Sequence, residues 1–138
     1  MYDRIAVPLD GSAPAETALA HAAELARRLD SQILLVHVRP PGSPKGREAI
    51  EAYLKGVRDR LRGERLPAAY SIVEMDDAAR GILQCASESG ASLIVMSTHG
   101  ASVHKDLLST TVAARVLEEA HIPVLLVRPP LVRVPSRS

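Results

Sequence analysis

The residues best suited to chemistry stand at the ends of apolar runs. Leu93-Ile94-Val95-Met96 gives way to Ser97-Thr98-His99-Gly100, and after a polar stretch the hydroxyl cluster Ser109-Thr110-Thr111 opens a segment of helical periodicity. A strand, a loop and a helix start in that order gather unpaired backbone N–H groups, and such a helix start attracts anions. Phosphate is the ligand that suits this arrangement. One of the three hydroxyls caps the helix, which the spacing begins near Val112, and the others are left to donate to phosphate oxygens. His104 and Lys105 are sources of positive charge in the loop, and equally plain solvated residues. Gly100 permits close backbone approach or positive φ, although a single loop glycine is weak evidence.

A second group of candidates lies far away in the chain. Asp10 ends the run Ile5-Ala6-Val7-Pro8-Leu9 and is followed by Gly11-Ser12. Its carboxylate suits ribose hydroxyls, and suits equally well the holding of the Gly11 turn or the capping of the next helix. Val38 ends Ile33-Leu34-Leu35-Val36-His37-Val38, where it offers backbone and an apolar wall to a base, or serves only as core.

Hydrolytic machinery is not evident. His21, His37, His99, His104 and His121 are scattered without metal-ligand spacing. His37 lies inside an apolar run and reads as a satisfied core histidine. Neither a P-loop, a dinucleotide fingerprint after the first strand, nor a nucleophile elbow is present. Asp76-Asp77 precedes a helix and suits its positive end. Cys85, the one cysteine, sits beside Ile82, Leu83 and Ala86 and reads as a buried, inert thiol.

The elements that must position these residues follow from periodicity. Strands are expected over 4–9, 32–38, 68–73, 92–97 and 124–128, all buried. The second, fourth and fifth are continuous apolar runs of the kind covered on both faces in a parallel sheet. Between them, Leu19, Ala22, Ala23, Ala26 and Leu29 fall at helical spacing, as do Ile50, Tyr53, Leu54, Val57 and Leu61. Ile82, Leu83 and Ala86 mark a third helix; Val112, Ala113, Val116, Leu117 and Ala120 mark a fourth. Ser12 is the expected N-cap of the first helix with Pro14 in its first turn, and Gly63 and Gly90 end the second and third. Strict alternation predicts an α/β fold: one doubly wound, Rossmann-like domain over 1–138, a five-stranded parallel sheet with four helices on both faces. Residues 130–138 are expected to form a flexible or edge-pairing tail. In such sheets the crevice lies beyond the carboxyl ends of the strands where chain order reverses, so the loops after strands one, two and four should converge there.

Composition narrows the partners. Hydrophobic residues make up 46% of the 138 residues and charged ones 24%, enough for a real core, and without Trp or Phe that core is aliphatic. The balance of 17 Lys+Arg against 16 Asp+Glu, with no basic run beyond Arg128, Arg133 and Arg137, argues against nucleic acid. The N-terminus runs straight into a strand, with no signal peptide and no apolar run long enough to span a bilayer, so a cytoplasmic protein without a membrane partner is expected.

From residue 4 to residue 128 the chain resembles the universal stress protein family. The resemblance is carried by Ile5 through Ser12, by Ala91 through Met96 with Thr98-His99-Gly100, and by Val112-Ala113 through His121-Ile122-Pro123-Val124-Leu125-Leu126-Val127-Arg128. It implies Asp10 and Val38 as ribose and adenine contacts. It also implies a phosphate motif of Gly, two residues, Gly, nine residues, Gly, then Ser or Thr, which here reads Ser97, Gly100, Thr110 and Thr111. Two glycines are replaced. A β-branched Thr110 resists positive φ and adds atoms where phosphate would touch bare backbone. The resemblance therefore implies a binding or signalling module rather than a turnover enzyme, with weak or absent binding of ATP and its Mg2+. A working ATP site with slow hydrolysis is the alternative, and an enzyme on the same frame, such as a flavoprotein, a more distant one. The family commonly forms homodimers through its last strand, and the apolar Val124-Leu125-Leu126-Val127 would be a poor exposed edge.

Overall fold

The structure, a computed structural model, describes residues 1–43, 46–99 and 110–129. Nine elements alternate: β1 (Arg4–Pro8), α1 (Ala13–Leu29), β2 (Gln32–Arg39), α2 (Arg47–Gly63), β3 (Ala68–Glu74), α3 (Ala78–Ser89), β4 (Leu93–Ser97), α4 (Thr110–Glu119) and β5 (Val124–Val127). The strands form one parallel sheet in the order β3-β2-β1-β4-β5. The expected doubly wound α/β architecture is present. Chain order runs outward from β1 through β2 to β3, then restarts on the other side of β1 with β4. The switch point therefore lies between β1 and β4.

Helix pairs cover the two faces. α1 and α2 meet through Arg27–Glu64 at 2.7 Å and through Glu16, which takes the Tyr53 hydroxyl and lies 3.5 Å from Arg60. α3 and α4 meet through Arg115 and Asp77. The core between these layers is aliphatic, with Ile5, Leu9, Leu19, Ile33, Leu35, Leu54, Leu61, Ile82, Ile94 and Met96 fully buried.

Local signals act as their chemistry requires. Ser12 Oγ accepts from Ala15 N–H at 3.2 Å, capping α1, and Pro14 sits in its first turn. Asp77 caps α3 by accepting from Arg80 N–H at 3.2 Å, and Gly90 closes that helix at φ 74°. α2 runs through Gly63, and Glu64 is its C-cap.

Several expectations are corrected. β3 and β5 are the sheet's edges and are only partly covered, not buried strands. Leu29 and Leu117 fall at core spacing yet are 45% and 53% exposed, each in the last turn of its helix. α4 starts at Thr110 rather than near Val112, so neither Thr110 nor Thr111 is its cap. Gly100, His104, Lys105, Ser109 and residues 130–138 lie outside the described residues.

Candidate functional site

The ends of β1, β2 and β4 are neighbours because β1 pairs with both of the others. Asp10 stands just past β1, Val38 near the end of β2, and Ser97 at the end of β4, so topology brings these three to one rim. Thr110 and Thr111 open α4, the helix that follows β4, and both are exposed. The salt bridge from Arg115, one turn further on, to the N-cap of α3 keeps the starts of α3 and α4 together at that rim.

Asp10 holds the turn. One carboxylate oxygen accepts from Ser12 N–H at 3.0 Å across Gly11, which has φ +85° and so takes a conformation that side chains resist. The bond is an Asx turn, and a carboxylate has further acceptor capacity for hydroxyl donors.

Ser97 is fully buried, and its Oγ accepts from His99 N–H at 3.0 Å. His99 is exposed, with Nδ1 2.8 Å from the Thr98 hydroxyl. Ser97 lies in a strand and Thr110 in a helix, and the non-glycine residues with positive φ among those described are Asp30 and Arg65. The two replaced glycine positions therefore carry no left-handed backbone. Thr110 thus takes the negative-φ alternative, in which its N–H can still point outward, and its β-branch adds bulk there.

Val38 is 1% exposed, and its side chain is roofed by α3 at Gly81. Its main chain has a different outlook. Along β2, even-numbered residues bond toward β1, as in Gln32 N–H to Asp3 C=O and Leu9 N–H to Val36 C=O; odd-numbered residues bond toward β3, as in Ile33 N–H to Pro67 C=O. The N–H and C=O of Val38 thus face the β1 side at a level where β1 has already ended. Among the described residues no backbone group bonds to either. A buried amide left without a partner costs about 1–3 kcal/mol, so such an edge invites a ligand.

His37, which the sequence reads as a core histidine, and Arg39, in the loop expected to converge there, complete the rim. His37 Nδ1 lies 2.8 Å from Leu9 C=O, and burial pushes the imidazole below its ordinary pKa, against the opposing effects of that bond and of the Asp10 charge. The sequence signal was a lone polar residue in an apolar run. Arg39 is 5% exposed and donates to Ser43 C=O at 2.6 Å, bracing the loop after β2. Gly81 is also buried; a glycine inside a helix is the signal of close approach.

Elsewhere the chemistry is bland. Burial pushes the Cys85 thiol up, away from the reactive thiolate. Among the described residues no group of three or more His, Cys, Asp or Glu is placed to hold a metal ion, and no helix is long and apolar enough to cross a membrane. An apolar pocket lined by Leu83, Ala86, Ile94 and Ile122 lies toward the amino ends of β4 and β5, away from the rim.

A parallel sheet ordered β3-β2-β1-β4-β5, with its switch point between β1 and β4, places the protein among the doubly wound α/β proteins. Within that class, residues 1–128 match the model of the universal stress protein family, and the chain belongs to that family. A universal stress protein of Thermus aquaticus is 34% identical, covering 93% of this chain and all of that protein. The solved structure of MJ0577, a universal stress protein of Methanocaldococcus jannaschii, superposes with a TM-score of 0.75 at 26% identity, over 96% of this chain and 99% of that one. A universal stress protein from Archaeoglobus fulgidus, solved in complex with dAMP, superposes at 0.69 with 28% identity over 91% and 97%.

Proposed function

We propose that this protein is a homodimeric, cytoplasmic, non-enzymatic stress-response module whose crevice binds the adenosine part of a nucleotide and holds a triphosphate poorly. The observation that carries this reading is the buried main-chain edge of Val38 beside Asp10. An N–H donor and a C=O acceptor side by side match the N1 acceptor and N6 amino donor of adenine, and the Asp10 carboxylate is one strand away to accept from ribose hydroxyls. The A. fulgidus relative solved with dAMP supports the same ligand class. Ser97, His99, Thr110 and Thr111 are the described residues of the phosphate side. There Ser97 is committed to its own turn and Thr110 carries bulk, so contacts to the outer phosphates are lost. A hydrogen bond to a charged group is worth roughly 1.5–3 kcal/mol, so the loss of one lowers affinity about ten- to a hundredfold.

The competing reading keeps ATP with Mg2+ as the working ligand. It is favoured by the helical backbone at Thr110, whose N–H is among the donors at the helix start. Equilibrium titration with AMP, ADP and ATP, each with Mg2+, separates the two. We expect ATP to bind no more tightly than AMP, and the Ser97→Gly, Thr110→Gly variant to gain preference for ATP. Wild-type ATP affinity about tenfold or more above that for AMP overturns the first reading; no binding of any adenine nucleotide overturns both.

A further inference from the structure

We infer that His37 is a positioning residue that keeps the base-binding edge of β2 open by drawing toward its imidazole the carbonyl that would otherwise close it. The ladder between β1 and β2 runs in register from Arg4↔Gln32 to Pro8↔Val36, and its last rung among the described residues is Leu9 N–H to Val36 C=O at 2.8 Å. In a parallel ladder a residue that donates to one partner accepts from the residue two further along. The next rung is therefore Val38 N–H to Leu9 C=O. That bond is not formed among the described residues; Leu9 C=O accepts instead from His37 Nδ1, at 2.8 Å. The imidazole lies on the strand that carries Val38, and it replaces a main-chain donor with a side-chain donor. The sheet keeps a satisfied carbonyl at Leu9, and Val38 keeps its N–H for something outside the ladder.

The chemistry fixes which ring nitrogen does this. Nδ1 must carry a proton to donate to a carbonyl, and it does so in one neutral tautomer as well as in the cation. Lowered basicity favours the neutral form, and the carbonyl partner requires its hydrogen on Nδ1, so the device needs no charge. Asp10 follows Leu9 directly. Anchoring the Leu9 carbonyl therefore also fixes the peptide that leads into the carboxylate proposed to take the ribose.

The base-recognition part of this inference rests on the nucleotide reading given above, whereas the hydrogen-bond exchange at Leu9 does not. The test separates them. Asn places its side-chain nitrogen close to the position of Nδ1, so His37→Asn should preserve the arrangement and His37→Ala should abolish it. Through-hydrogen-bond scalar coupling between Val38 N and Leu9 C′, measured without nucleotide, is expected in His37→Ala and absent from wild type and His37→Asn. Coupling already present in wild type, or absent from His37→Ala while that variant remains folded by its amide spectrum, overturns the inference.

The second arm compares AMP with its 1-deaza analogue, which lacks the acceptor proposed to meet Val38 N–H. Wild type and His37→Asn should prefer AMP about tenfold, and His37→Ala should lose that preference while its affinity for ribose 5-phosphate stays the same. Equal discrimination by all three overturns the proposed link between His37 and the base. If no nucleotide binds wild type, the nucleotide reading fails, and the coupling still decides the role of His37.

Discussion

Gly81 and Val38 are in closer contact than any side chain would allow: a Cβ built on the glycine would stand 2.7 Å from Val38 Cγ1 and 2.9 Å from Cγ2. The neighbour is a β-branched residue near the end of a strand, stiff at χ1 and 1% exposed, so it cannot swing aside. The missing methyl lets the first turn of α3 sit down on β2, and that seating holds the end of the strand from one side.

Gly81→Ala should therefore destabilise the protein even though alanine is the better helix former by about 1 kcal/mol. Overpacking a tight core costs roughly 1–3 kcal/mol; we expect a net loss of about 1–2 kcal/mol, read as a lower urea midpoint at unchanged slope. Removing the opposing methyls should restore part of it, so Gly81→Ala with Val38→Ala should be less unstable than the two single changes add up to. An unchanged or raised midpoint for Gly81→Ala would contradict the contact.

His37 gives stability a definite pH dependence. Its folded-state pKa is lowered, chiefly by burial. Below the ordinary histidine value the unfolded chain takes up a proton that the folded protein resists, so stability falls as pH drops below about 6.5 and levels off once the folded imidazole is also protonated. The His37 ring resonances should titrate with a midpoint below the ordinary range, and the part of the stability slope between neutral pH and that midpoint should disappear in His37→Asn. A midpoint at or above 6.5 would refute this.

Asp77 works in the opposite part of the pH scale. Arg115 donates to both its oxygens at 2.8 Å, and Asp77 also caps α3. The bond from Arg115, followed by that from Arg80 N–H, holds its carboxyl below the usual range. A depressed carboxyl pKa stabilises the fold above the unfolded value, and the gain is lost as pH falls through the folded one. Asp77→Asn keeps the cap and loses the charge, so it should lower Tm at neutral pH, with the difference from wild type shrinking toward pH 3. Arg115→Gln should have a similar effect, and the pair together should cost less than the sum. Strict additivity would show that the two do not act as a unit.

The architecture was legible because the apolar runs are bounded by turn and cap residues. Asp10-Gly11-Ser12 spells an Asx turn and a cap, and Gly90 spells a helix stop. Edge positions were not legible: Val124-Leu125-Leu126-Val127 reads as a strand covered on both faces, yet strand order depends on which crossovers go which way, and four residues of type and spacing do not record that. The start of α4 was misplaced by two residues because Thr110 and Thr111 suit a cap as well as a first turn. The rim was legible in its location and not in its contacts. Periodicity brings Asp10, Val38 and Ser97 to one edge of the sheet, but that His37 bonds Leu9 and that Gly81 roofs Val38 depend on side-chain directions across neighbouring elements.

The last strand offers a test of the proposed dimer. Ile94 N–H bonds Pro123 C=O and Thr98 N–H bonds Val127 C=O, so odd-numbered residues of β5 face β4. Val124 and Leu126 then turn their main-chain groups to the outer edge, beside a Leu125 that is 40% exposed. An apolar edge of this kind is a template for pairing, and a second copy related by a two-fold axis would cover it. Val124→Pro removes an outward donor at the first position of an edge strand, where proline is tolerated, and leaves the ladder to β4 whole. Leu125→Arg instead places a charge on the exposed side chain, a change expected to alter monomer stability by no more than about 0.5 kcal/mol. Sedimentation velocity at micromolar concentration should show a dimer for wild type and a monomer for each variant, with unchanged far-UV circular dichroism. A monomeric wild type, or dimers that survive both substitutions, would place the assembly elsewhere or remove it.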